Sequence, residues 1–143
     1  MTSRRPKRRR LIRAPVNDIV GAVVSVASLI AMAIPDTDLH RVRVWAENHT
    51  PPEARAHVWI ELDTTANTIT VYECRPYWRP EEHQPPTRLP VARCRWNNTT
   101  KQWTLYWRDR NLRFRVWPHL EPQRTIVPLL AEIDDHTNGA FWG

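Results

Sequence analysis

Glycine is almost missing from this chain: Gly21, Gly139 and Gly143 are the only three in 143 residues. Loops that cradle phosphates need several glycines so that the backbone can approach the ligand. Neither a P-loop nor a dinucleotide fingerprint can therefore be assembled. Serine is equally scarce, and Ser3, Ser25 and Ser28 all lie near the N-terminus, which removes a serine nucleophile on a strand-to-helix elbow. The two cysteines, Cys74 and Cys94, have nineteen residues between them, and the chain contains no C-x-x-C, no H-E-x-x-H and no closely spaced histidine pair. The spacings that hold zinc are absent, and no metal or cofactor is expected. Lysine occurs twice against nineteen arginines. That bias suits a GC-rich genome as well as guanidinium chemistry and decides nothing about function.

What the chain has in excess is tryptophan, eight residues against two phenylalanines and three tyrosines. Each indole buries a large apolar area and brings one N–H donor that must be satisfied, so a tryptophan-filled core is the expected use. A length of 143 residues suits one domain that can bury a real core without disulfide or metal. The net charge of +6 is misleading. Arg4, Arg5, Lys7, Arg8, Arg9, Arg10 and Arg13 precede every acid, and beyond them 14 basic residues face 15 acidic ones. The basicity that would point to a polyanionic partner thus belongs mostly to an N-terminal arm.

The stretch Lys101 to Trp117, KQWTLYWRDRNLRFRVW, alternates aromatic or aliphatic residues with arginines. Together with Glu73-Cys74-Arg75-Pro76-Tyr77-Trp78, Pro90-Val91-Ala92-Arg93, Leu130-Ala131-Glu132-Ile133-Asp134 and the closing Phe141-Trp142-Gly143, it resembles a small bacterial family known as domain of unknown function 3024. The resemblance runs from about Met32 to the end. It implies no activity. It differs in two respects: members start close to where Met32 falls, and they often carry a His and a Tyr where this chain has Arg115 and Trp117. Chemistry that leaned on that His does not carry over.

Residues 1–34 form a basic arm followed by an apolar segment from Ile19 to Ile34, and residues 35–143 form a single domain. The arm, the apolar run and Ala31-Met32-Ala33 imitate an export signal. A run of sixteen residues is nevertheless short for a span of about twenty, and Asn17-Asp18 sit between the charge cluster and the apolar run. Four readings stand: upstream sequence translated from an early start codon, a signal, a membrane anchor, or a buried extra helix. The first makes the protein cytoplasmic, with Cys74 and Cys94 as buried thiols. A signal or anchor makes it membrane-associated or exported, with the two cysteines open to pairing.

From Pro35 onward the periodicities predict α+β architecture. Leu39, Val42, Trp45 and Ala46 recur at helical spacing after a cap at Asp36 or Thr37, and the helix stops at Thr50-Pro51-Pro52. Alternation then predicts a five-stranded antiparallel meander. Its first two strands surround Ile60 and Val71 and are joined at Thr65-Ala66-Asn67; the others run over 88–96, 102–108 and 112–117. The segment from Pro76 to Pro86 is too punctuated to be anything but an exposed loop. A last helix is expected from near Thr125 to Asn138-Gly139, with Pro128 in its first turn. Both helices are expected on one face of the sheet.

Strand alternation assigns Trp103, Leu105, Trp107, Leu112, Phe114 and Val116 to the core. It assigns Thr104, Tyr106, Arg108, Arg113, Arg115 and Trp117 to the other face. Between Arg88 and His119 there are eight basic residues against Asp109 alone. The open face therefore offers Arg93, Arg95, Tyr106, Arg108, Arg113, Arg115 and Trp117 as a binding set for single-stranded nucleic acid or an acidic protein surface. The plainer alternative is a solvated face where arginine stems lie over aromatic rings and pair with Glu61 or Glu73. A catalytic alternative is a small metal-dependent hydrolase or nuclease built on Glu73, Asp134, Asp135 and His136. No convergent acid, base and nucleophile recommends it, so a non-catalytic binding or accessory module is expected. Oligomeric state is not legible.

Overall fold

A computed structural model of the chain describes residues 33–143 apart from 51, 55, 136, 138 and 143. The readings attached to residues 1–34 therefore fall outside the described residues, except at Ala33 and Ile34.

Helix α1 spans Asp36–Asn48, then strands β1 (Trp59–Thr64), β2 (Thr68–Arg75), β3 (Thr87–Asn97), β4 (Gln102–Arg108) and β5 (Phe114–Val116) follow, and α2 (Val127–Asp134) comes last. The strands pair in chain order, all antiparallel, in one open sheet. The α+β class and the five-strand meander are those expected. The proline-rich connection from 76 to 86 holds only a short 3-10 turn, Pro80–Glu82, and Trp78 in it is exposed.

Both helices cover the face formed by Ile69, Val71, Ala92, Cys94, Trp96, Trp103 and Leu105. They lock onto it through indole N–H donors. Trp103 Nε1 donates to Asp38 Oδ2 of α1 at 2.8 Å, Trp117 Nε1 to Glu132 Oε1 of α2 at 3.0 Å, and Trp45 Nε1 to Asp134 Oδ2 at 3.0 Å, joining the two helices. A buried donor left unmet costs about 1–3 kcal/mol, so each acid is placed where burial of an indole demands it. Trp96 Nε1 alone among buried described side-chain donors has no partner.

Three local readings are corrected. The first helix has Pro35 rather than Asp36 or Thr37 at its N-cap, and no side chain caps it. Asp36 and Asp38 instead occupy the first turn, where carboxylates suit the helix dipole. The last helix ends at Asp134, short of Asn138-Gly139, because Asp135 turns extended and its Oδ1 accepts from Thr137 N and Oγ1. That local bond competes with continued helix.

The third correction concerns β5. Tyr106 pairs with Val116, Trp107 with Arg115 and Arg108 with Phe114. Phe114 and Val116 therefore share the open face with Tyr106, and Trp117 falls on the covered face, where it is 6% exposed. The reversal comes from the turn. Asp109 N donates to Arg113 O, leaving a three-residue loop whose last member, Leu112, takes φ +64°. An odd loop length with a left-handed closing residue flips every side chain of the following strand relative to the expected register. Leu112 is accordingly solvent-exposed instead of core.

Lastly, the two cysteines lie on opposite faces, Cys74 beside Trp59 and Arg88, Cys94 beside Ile69. They are free and buried. Burial pushes the Cys94 thiol up to about 12; burial, then the charge of Glu61, push Cys74 up to about 11. Both remain protonated at neutral pH and make poor nucleophiles.

Candidate functional site

The open face is built by the alternate residues of all five strands. A bulge between Val71 and Tyr72 sets Val91 as an extra residue in β3, since Val71 pairs with Ala92 and Tyr72 with Pro90. On a regular strand Arg88 and Arg93, five residues apart, would point to opposite sides; the bulge brings both to the open face.

Those two arginines are already engaged. The Arg88 guanidinium lies 3.7 Å from the Tyr72 ring centre, and its Nε donates to Glu61 Oε1 at 3.0 Å. Arg93 lies 4.2 Å over the Phe114 ring and donates from Nε to Thr70 Oγ1 at 2.9 Å. Glu61 also accepts the Trp59 indole N–H at 2.9 Å. That bond, with Arg88, holds the Glu61 carboxyl below the usual carboxylate range against its partial desolvation. The centre of the face thus follows the plainer expectation, with cations laid over rings.

One end of the face differs. Arg95 pairs across with Thr68 and Thr104, next to the Arg93–Tyr106 pair. With Asn67, Asn97 and Asn98 from two turns, Arg95, Trp96, Thr104 and Tyr106 line a pocket of about 360 Å³. No carboxylate is among its lining residues. Asn97 Oδ1 accepts the backbone N–H groups of Thr99 and Thr100 at 2.9 and 3.1 Å, and Asn98 Oδ1 accepts Lys101 Nζ at 2.7 Å. A backbone N–H or an ammonium can only donate, so these bonds fix the amide oxygens and leave the amide NH₂ groups for a ligand.

The seven residues expected to bind do not share one surface. Arg93, Arg95, Tyr106 and Arg108 are on the open face; Trp117 is in the core. Arg113 and Arg115 belong by pairing to the side of Trp107, at the exposed sheet edge, and Arg115 bonds Asp109. Arg95, Arg108, Arg110 and Arg113 form no ion pair with a described residue.

The carboxylates proposed for hydrolysis are occupied separately. Glu73 accepts Arg75 Nε at 3.0 Å, and Asp135 caps its own turn. Asp134 accepts from Trp45 and His49. His136 is outside the described residues. Among the described residues no group of three or more His, Cys, Asp or Glu side chains is arranged to hold a metal. Sequence reasoning missed His49. Its Nδ1 lies 2.8 Å from Trp45 O and its Nε2 2.6 Å from Asp134 Oδ1, so the ring clasps α1 to α2 beneath Trp142, which it stacks at 9°. The four-residue step from Trp45 to His49 was the available signal.

A family model described as Domain of unknown function (DUF3024) matches residues 31–143. The chain belongs to the DUF3024 family. No curated protein matches this DUF3024 chain, and no solved structure does. Among its described residues no helix is long and apolar enough to cross a membrane.

Proposed function

We propose that this protein is a non-catalytic module that binds single-stranded nucleic acid on its open sheet face, at the end marked by Arg95 and Tyr106. The observation that carries the reading is the lining of the small pocket there: Arg95, three asparagines, Thr104, Tyr106 and Trp96, with no carboxylate. Such a surface matches phosphate oxygens and base edges, and the half-buried Tyr106 ring gives a base something to stack on. Of the open-face arginines without an ion pair to a described residue, Arg93 is held by Phe114 and Thr70, while Arg95 beside the pocket and Arg108 farther along β4 are available to phosphates.

The test uses the full chain with its seven arm cations changed to glutamine, so that arm and sheet are not confused. Fluorescence anisotropy with labelled 12-mer RNA and DNA at low salt is expected to show saturable binding. Arg95→Ala is expected to weaken it about tenfold and to lower the salt slope by about 0.7, one single-strand phosphate contact. Binding unaffected by both Arg95→Ala and Tyr106→Ala overturns the reading. So does a surface that prefers an acidic peptide to either strand.

A further inference from the structure

We infer that the pocket discriminates between bases, favouring those that present acceptors, uracil above all, over adenine. The inference rests on the nucleic-acid reading and names which strand that same site takes. The argument is one of donor and acceptor counts. Arg95 has donors only. Asn97 has committed both lone pairs of its Oδ1 to Thr99 N and Thr100 N, so its remaining capacity is the two N–H bonds of Nδ2. Asn98 has Lys101 Nζ on its Oδ1 and likewise offers NH₂. The Asn67 carbonyl is taken by Trp96 N at 2.7 Å. The Thr104 and Tyr106 hydroxyls, the Asn67 amide oxygen and the second lone pair of Asn98 Oδ1 are left to accept, fewer than the N–H bonds of Arg95 and the three amides, and no carboxylate reinforces them.

A ligand that covers these exposed donors must bring oxygen or ring-nitrogen acceptors, or leave them cut off from water and unmet. Uracil presents two carbonyl oxygens, and guanine presents O6 and N7 to a guanidinium in the same way. Adenine also has ring-nitrogen acceptors, but its N1 and N7 flank the N6 amino group, so a guanidinium or amide NH₂ that approaches that edge meets a donor, whereas the two uracil carbonyls carry no such group. The volume of about 360 Å³ is at the small end of ligand sites and suits one nucleotide rather than a stacked run. The rigidity of the two asparagines adds to the selection. Asn97 is held by the turn it caps, and Lys101, at φ +58° with its N–H on Asn97 O at 2.7 Å, closes that turn.

The experiment compares labelled U12 and A12 RNA on the arm-neutralised full chain, and repeats the pair with Asn97→Asp/Asn98→Asp. Aspartate keeps the oxygen that holds each turn and exchanges the NH₂ for a second acceptor. The variant therefore keeps its fold while reversing the hydrogen-bond sense of the pocket. Reading the ratio of the two affinities cancels the added negative charge. It also cancels the self-stacking of A12, which is common to both proteins. About tenfold preference for U12 is expected in the parent and a ratio near one, or inverted, in the variant. Equal affinities in the parent, or a preference the variant retains, overturn base selection and leave strand binding standing; a pocket that simply seats a phosphate gives the same result. Failure of both strands to bind overturns the strand reading along with it.

Discussion

The two faces of the sheet use the same ingredients, aromatic rings and charge, in opposite ways. On the covered face the aromatic group is the donor: the indoles of Trp45, Trp103 and Trp117 give their N–H bonds to Asp134, Asp38 and Glu132. On the open face, where Trp59 gives its N–H to Glu61, the other rings are platforms: Tyr72 and Phe114 carry the guanidinium groups of Arg88 and Arg93. The difference explains how a domain with nearly equal acids and bases acquires a basic sheet. Three of its carboxylates are consumed inside by tryptophans, and the strand arginines face solvent without them. Balanced composition therefore does not imply a balanced surface.

The largest effect that can break this comparison comes from truncating one aromatic on each side. Trp117→Ala removes a 6% exposed core indole and strands Glu132, and is expected to cost about 3–5 kcal/mol in urea unfolding. Tyr106→Ala, on the open face, is expected to cost about 1 kcal/mol. If Tyr106 proves the more costly, Trp117 is not a core residue and β5 pairs in the other register.

Most of the architecture was legible because α1 and the first four strands announce themselves by period. The fifth strand was not, and the reason is specific. Leu112, Phe114 and Val116 alternate with Arg113, Arg115 and Trp117, so the rule that apolar residues point inward selects the former set. The structure selects the latter. Phe114 finds cover under Arg93, Trp117 is larger than any residue of the rival set, and pairing across the Asp109 turn sets Phe114 opposite Arg108, which alternation along β5 taken alone does not show. The candidate site was half legible. Arg95, Tyr106 and Arg108 follow from alternation, whereas Asn67, Asn97 and Asn98 read only as turn formers, since which amide atom a turn consumes depends on three-dimensional bonds.

A sharper and smaller comparison lies within the covered face. Trp96 and Trp103 are cross-strand neighbours with ring centres 5.3 Å apart, both buried, yet one indole N–H is met and the other is not. Trp103→Phe removes the donor from Asp38, a 2% exposed carboxylate that keeps only Arg41 at 2.9 Å, and is expected to cost about 2–3 kcal/mol. Trp96→Phe removes an orphan donor and is expected to cost about 1 kcal/mol less than Trp103→Phe, because part of its lost packing is offset by relief of desolvation. Equal losses in the two denaturation curves would show that the indole bonds contribute nothing beyond volume.

The smallest effect is a titration, and it bears on what sets the two faces apart at β5. Asp109 Oδ1 accepts Asn111 N at 2.8 Å and Arg113 N at 3.0 Å, while Oδ2 takes the Arg115 guanidinium. The Arg115 bond first, and the Arg113 N–H second, hold the Asp109 carboxyl below its usual value. A carboxyl whose folded pKa is depressed lends stability that is complete above its unfolded pKa and disappears as the pH falls through the folded value. The turn that fixes the β5 register should therefore loosen only in acid. In carbon-detected NMR the Asp109 midpoint is expected below the ordinary aspartate range, and Arg115→Gln should raise it while leaving the backbone bonds in place. A midpoint indifferent to Arg115→Gln would mean that the ion pair does not form in solution. The turn would then rest on its two backbone bonds and the left-handed Leu112 alone, and replacing Leu112 with glycine would become the more telling change at the point where the sheet chooses which side of β5 faces water.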